Sequence, residues 1–156
     1  MYRRILFPTD GSDGARAALD HALDLADRHD ATLHVLNVVS DARWTMVGDE
    51  GGMSGVDVGA IQENLEKRGT GIVEEAATAA ADHDVDCVTD VVTGGPPHRA
   101  ILEYVDENDV DLVVMGTHGR RGFDRLLMGS VAEKVVRSSS VPVLTVKMDD
   151  PGAVEE

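Results

Sequence analysis

Only one cysteine, Cys87, occurs in the sequence, so no disulfide can form within the chain. That excludes a small scaffold stapled by bridges and fits a reducing compartment. Cys87 sits in the apolar-alternating run "DCVTDVV", which reads as a small buried thiol. Aromatic residues make up 3% of the chain, so the core must be assembled from Val, Leu, Ile, Ala and Met. Lysine is scarce: Lys67, Lys134 and Lys147 are the whole set. With 14 basic residues against 29 acidic ones and a net charge of −15, no basic patch of nucleic-acid size is expected. No apolar run reaches the ~18 residues of a membrane helix. The segment "MYRRILFPTD" has no long apolar region or small-residue cleavage site, so neither a secretory signal nor a membrane anchor is expected. Taken together, these absences point to a cytoplasmic chain.

Nucleotide signatures of the common kinds are also missing. There is no GxxxxGK[ST] and hence no P-loop lysine. There is no GxGxxG after the first apolar run. A receiver domain would need an acidic pair after strand one and an acceptor aspartate after strand three, but strand three ends "VVTGGPP".

What is present is a regular alternation. Apolar or β-branched runs at residues 2–8, 32–39, 86–93, 111–116 and 141–147 read as five strands. Residues 12–29, 58–83, 98–108 and 130–138 carry apolar positions at helical spacing. Gly69 and Gly71 fall within the second of these helices, where each is expected to cost ~1 kcal/mol relative to Ala. Pro96 and Pro97 mark the start of the third helix. Strand–helix alternation implies one α/β domain with a parallel sheet covered on both faces. The domain is placed at 1–148, followed by an acidic tail at 149–156 that is expected to fray. Residues 40–57 form the longest loop and hold the only tryptophan, Trp44. The excess of Asp, 19 against 10 Glu, is of the kind that suits a salt-rich cytoplasm, where self-repulsion is screened.

In open parallel sheets, ligands bind beyond the carboxyl ends of the strands, at the switch in strand order. Two segments there carry chemistry. After strand one comes "PTDGSDG", in which Asp10 can accept hydrogen bonds from ribose hydroxyls or can cap the next helix, a task Ser12 could share. After strand four comes "GTHGRRGFDRLLMGS". Gly116 would let backbone approach a ligand, and Gly119 and Gly122 would permit left-handed turns. Gly129-Ser130 opens a helix whose free N–H groups favour phosphate. Arg120, Arg121 and Arg125 add local positive charge in a chain short of it. His118 is the only ionisable base candidate in this loop; phosphate hydrogen bonding is its expected role, with general base as the alternative. The remaining histidines show no zinc spacing.

The spacing Gly116-x2-Gly119-x9-Gly129-Ser130 resembles the pattern of the universal stress protein family, in its ATP-binding branch. So do "RRILFPTDGSDGARAAL", "LHVLNVV", "GGPPHRAILEYV" and "SVPVLTVK". The resemblance implies a three-layer, doubly wound, five-stranded parallel sheet of order 3-2-1-4-5, flavodoxin-like and akin to the adenine nucleotide alpha hydrolases. It implies ATP as ligand, with Mg2+ as a candidate companion. Pro8, Thr9 and Asp10 would line the adenine and ribose pocket. Val38 would meet adenine through its backbone, beside Val39, and Met115 and Gly116 would close over the ribose. His118, Gly119, Arg120, Gly129, Ser130 and Val131 would surround the phosphates. A homodimer through the last strand is implied too. The expected function is an ATP-binding, nucleotide-responsive regulator of the stress response rather than an enzyme. A slow ATPase or nucleotide transferase in the same pocket, or a nucleotide-free dimeric stress scaffold, are the alternatives.

Overall fold

β1 (Arg4–Pro8) lies at the centre of a five-stranded sheet. β2 (Thr32–Val39) and β4 (Leu112–Gly116) flank it, and β3 (Cys87–Thr93) and β5 (Val143–Val146) form the edges. The order is β3-β2-β1-β4-β5 and all four pairings are parallel, as expected. The structure is a computed structural model, and it describes residues 1–39, 57–118 and 128–147. The expected loop at 40–57, apart from Asp57, and the tail at 149–156 lie outside the described residues.

Side-chain alternation along the strands divides the core in two. Ile5, Phe7, Leu33, Val35, Leu112 and Val114 point to one face. That face is covered by α1 (Asp13–His29) and α2 (Val58–Asp82). The first of these meets the sheet through Ala15, Ala18, Ala22 and Ala26, all buried. Short side chains at helical spacing let the helix lie close, which is how a chain with few aromatics reaches a dense core. Leu6, Leu36, Val113 and Met115 point the other way, under α3 (Pro97–Glu107) and α4 (Ser130–Ser138). Pro96 is the N-cap of α3 and Pro97 its first residue, where a missing N–H costs nothing.

Among the described residues, His34 and Asn37 are the polar side chains sealed into β2. On the second face, His34 Nδ1 lies 2.9 Å from the Tyr104 hydroxyl of α3, and the rings meet edge to face. Burial lowers the pKa of His34, helped by the Arg4 charge, so the imidazole is held neutral. Burial also raises the Tyr104 pKa, with Asp90 and Cys87 adding to the effect. Cys87 is only half-buried, yet it packs against the first cluster and burial raises its pKa; a thiol kept protonated is a poor nucleophile.

Gly69 departs from its expected role as a plain weakness in α2. A methyl group there would sit 2.5 Å from Asn37 Oδ1 and 3.1 Å from Val39 Cγ2. The glycine is what lets α2 rest on β2. Gly71, by contrast, has nothing within 4 Å. Gly71→Ala should therefore stabilise the fold by up to ~1 kcal/mol. Gly69→Ala should destabilise it despite the same gain in helix propensity, since overpacking costs about 1–3 kcal/mol. Urea unfolding of both variants reads the sign, and a stabilised Gly69→Ala would refute this account of the packing.

Candidate functional site

The chain leaves β1 at Pro8 through a turn held from several sides. Thr9 donates its N–H to the Leu36 carbonyl at 2.9 Å, and its own carbonyl accepts Asn37 Nδ2 at 2.8 Å. Asn37 is buried, so this contact pins the turn from beneath. Asp10 Oδ1 accepts the Ser12 N–H at 2.9 Å, and Ser12 Oγ accepts the Ala15 N–H at 3.3 Å. The choice between caps is thereby decided: Ser12 is the N-cap of α1. Asp10 instead orders the turn before it.

On the other side, β4 ends at Met115 and Gly116. The Met115 side chain is buried in the second cluster, so it offers the strand end its main chain. Beyond it, Thr117 is 5% exposed and gathers three elements. Its N–H donates to the Val146 carbonyl of β5 at 3.0 Å. Its carbonyl accepts the Gly129 N–H at 2.7 Å. Its hydroxyl lies 3.0 Å from His118 Nδ1. Gly129 is the N-cap of α4 and carries no side chain to satisfy the helix's first turn. Among the described residues no side chain caps that turn, and helix N-terminal N–H groups of this kind favour an anionic acceptor. Ser130, at the first helical position, is exposed, while Val131 behind it packs on the core.

These two halves are in direct backbone contact. A methyl group on Gly116 would lie 2.9 Å from the Gly14 carbonyl oxygen, and one on Gly14 would lie 2.7 Å from the His118 carbonyl oxygen. The first turn of α1 and the exit of β4 therefore touch through glycine on both sides. Pairing of β1 with β2 brings Pro8, Thr9 and Asp10 to the same end of the sheet as Val38 and Val39. The Val39 side chain is buried and its carbonyl accepts the Gly94 N–H at 3.0 Å. Of the residues expected from the sequence, Gly119 and Arg120 lie outside the described residues, as do Gly122, Arg121, Arg125 and Trp44. Three residues that shape this end were not expected from sequence: Gly14, Asn37 and Thr117. Asn37 had a signal, as a polar residue in the otherwise apolar stretch "VLNVV".

The universal stress protein family model matches residues 1–147. The chain belongs to the universal stress protein family. Universal stress protein MJ0531 of Methanocaldococcus jannaschii is 34% identical over 94% of this chain and 83% of its own length. The solved structure of MJ0577, from the same organism, superposes with a TM-score of 0.81 at 27% identity, covering 96% of this chain and 99% of that one. A universal stress protein solved in complex with cAMP gives a TM-score of 0.70 at 27% identity, covering 95% of this chain and 99% of its own. The strand order in this universal stress protein fold is the one the resemblance implied. No described helix is long and apolar enough to cross a membrane.

Proposed function

We propose that the chain is an ATP-binding regulatory protein whose site lies between the β1–α1 turn and the β4–α4 connection. The observation that carries this reading is the contact of the α1 start, just after the Asp10 turn, with the β4 exit, whose Thr117 carbonyl holds the Gly129 N–H at the start of α4. Asp10 accepts ribose hydroxyls, while the α4 N-terminus, Ser130 and His118 accommodate phosphate. Gly119 and Arg120 join the phosphate side, and Val38 and Val39 take the adenine edge. The related structure holding cAMP supports the adenine-nucleotide class. Mg2+ would come in with the phosphates, since Asp10 alone is a thin ligand set.

Calorimetric titration with ATP, with and without Mg2+, tests the reading. Ser130→Glu should weaken ATP at least tenfold, which is about 1.4 kcal/mol. Ser130 is exposed, so the fold should tolerate the change. Unchanged affinity would show the phosphate side to be misplaced. ADP accumulating over hours in the same mixtures would instead indicate slow hydrolysis.

The reading extends to a homodimer through β5. This strand is an edge, with Leu144 38% exposed and Val136 of α4 45% exposed, and an uncovered apolar edge invites pairing. Sedimentation velocity should give a dimer at tens of micromolar; a monomer there rejects the extension.

A further inference from the structure

Gly14 occupies the second position of α1, where no turn geometry demands glycine. What demands it is proximity. The His118 carbonyl stands where a Cβ at 14 would be, and the Gly14 carbonyl stands where a Cβ at 116 would be. Both neighbours are main chain, so neither contact can be relieved by turning a side chain. On one side of this contact, Ser12 and Asp10 begin the helix. On the other, His118 follows Thr117, whose carbonyl holds the Gly129 N–H. Gly14 thus lies between the two halves of the candidate site.

We propose that Gly14 is a positioning residue that sets the gap between the ribose side and the phosphate side, and so determines how strongly phosphates add to nucleoside affinity. The proposal rests on the nucleotide reading above. Consider what a methyl group at 14 would displace. The α1 helix is anchored by Ala15, Ala18, Ala22, Leu23 and Ala26, all buried. His118 is only half-buried and is followed by the connection to α4. The His118 carbonyl is the atom that clashes, so the displacement falls on His118 and passes through Thr117 to Gly129. The adenine and ribose side stays, because Thr9 is tied to Leu36 and Asn37 rather than to α1. Affinity for the phosphates falls while affinity for the nucleoside is kept.

The test is Gly14→Ala, read first without nucleotide. Its amide spectrum should show Thr117, His118 and Gly129 displaced and Thr9 and Asn37 unmoved. Calorimetry should then show ATP weakened at least tenfold and adenosine changed less than twofold. Undisplaced amides, or equal weakening of ATP and adenosine, overturn the proposal. A native chain that binds neither ligand overturns the nucleotide reading and the specificity role with it, while the apo spectra still decide whether Gly14 holds the loop. Should Gly14→Ala not fold, the native chain carries the test. ATP should shift the Gly14 amide and adenosine should not; a Gly14 amide indifferent to ATP, or moved equally by both, overturns the role.

Discussion

Phe7→Ala should lower the unfolding free energy by about 3–5 kcal/mol, the range for losing a buried aromatic. Phe7 is 1% exposed and is the largest fully buried side chain among the described residues. It lies on the central strand, opposite Val35. The cost of such a cavity depends on whether neighbours can collapse into it. Here α1 presents Ala15, Ala18, Ala22 and Ala26 to the same cluster. Alanine has no rotamer with which to fill a void, so the loss should fall in the upper part of the range. Against a total stability of ~5–15 kcal/mol, the variant should sit near its unfolding midpoint in mild denaturant. Phe7→Leu, which keeps most of the volume, should cost less than about 1.5 kcal/mol. Urea unfolding with an unchanged slope measures both. A loss below about 1.5 kcal/mol for Phe7→Ala would mean that the core has slack which the packing does not show.

The layout was legible in the sequence where local pattern and tertiary role agree. The β2 run "TLHVLNVV" is β-branched and apolar, and both of its faces are covered. The alanines of α1 recur at helical spacing and bury the face so marked. Strand order is another matter. Alternation says that the strands are parallel, but which way each crossover turns is not written in any local stretch. The order came from resemblance. The interactions that elude a linear reading are those between distant residues. His34 and Tyr104 are 70 residues apart and meet only once α3 lies on the sheet. Gly69 carries the same local penalty as Gly71, and only the proximity of Asn37 distinguishes them. Asp10 and Ser12 were equal as caps, since both offer an oxygen at the right distance from a helix start. The turn decides by spending Asp10 on the Ser12 N–H. Gly14 and the Thr117 backbone have main-chain neighbours, which sequence does not distinguish.

Raising KCl from 0.1 M to 2 M should stabilise this chain, and the sites that dominate the response can be named. Three residues other than glycine adopt a positive φ among the described residues: Asp30 at 53°, Asp84 at 55° and Asp109 at 52°. Each follows a helix, in the loops that lead into β2, β3 and β4. In a parallel sheet these loops share one end, opposite the candidate site. Aspartate tolerates this backbone, as asparagine does. Its charge, however, lies at the negative end of a helix dipole, which costs typically 0.3–1 kcal/mol at low ionic strength. All three are exposed, and Asp27, Asp82, Asp86, Asp106 and Glu107 stand nearby in sequence and are exposed too. The ion pairs of the described residues involve none of these three aspartates: Arg16 pairs with Asp13 and Glu75, Arg28 with Asp24, Lys67 with Glu63, and Arg137 with Glu133. Arg28 and Arg137 stand at this end, in the last turns of α1 and α4, but each is paired with a carboxylate of its own helix. Replacing Asp30, Asp84 and Asp109 together by Asn keeps the left-handed backbone and removes only charge. At 0.1 M KCl the triple variant should gain about 1–3 kcal/mol, the sum of three such dipole terms. At 2 M, where the screening length is below about 3 Å, most of that gain should vanish. The native chain then catches up with its neutral variant as salt rises. An equal gain at both salt concentrations would assign the effect to backbone preference rather than charge, and a native chain destabilised by KCl would reject the adaptation to salt altogether.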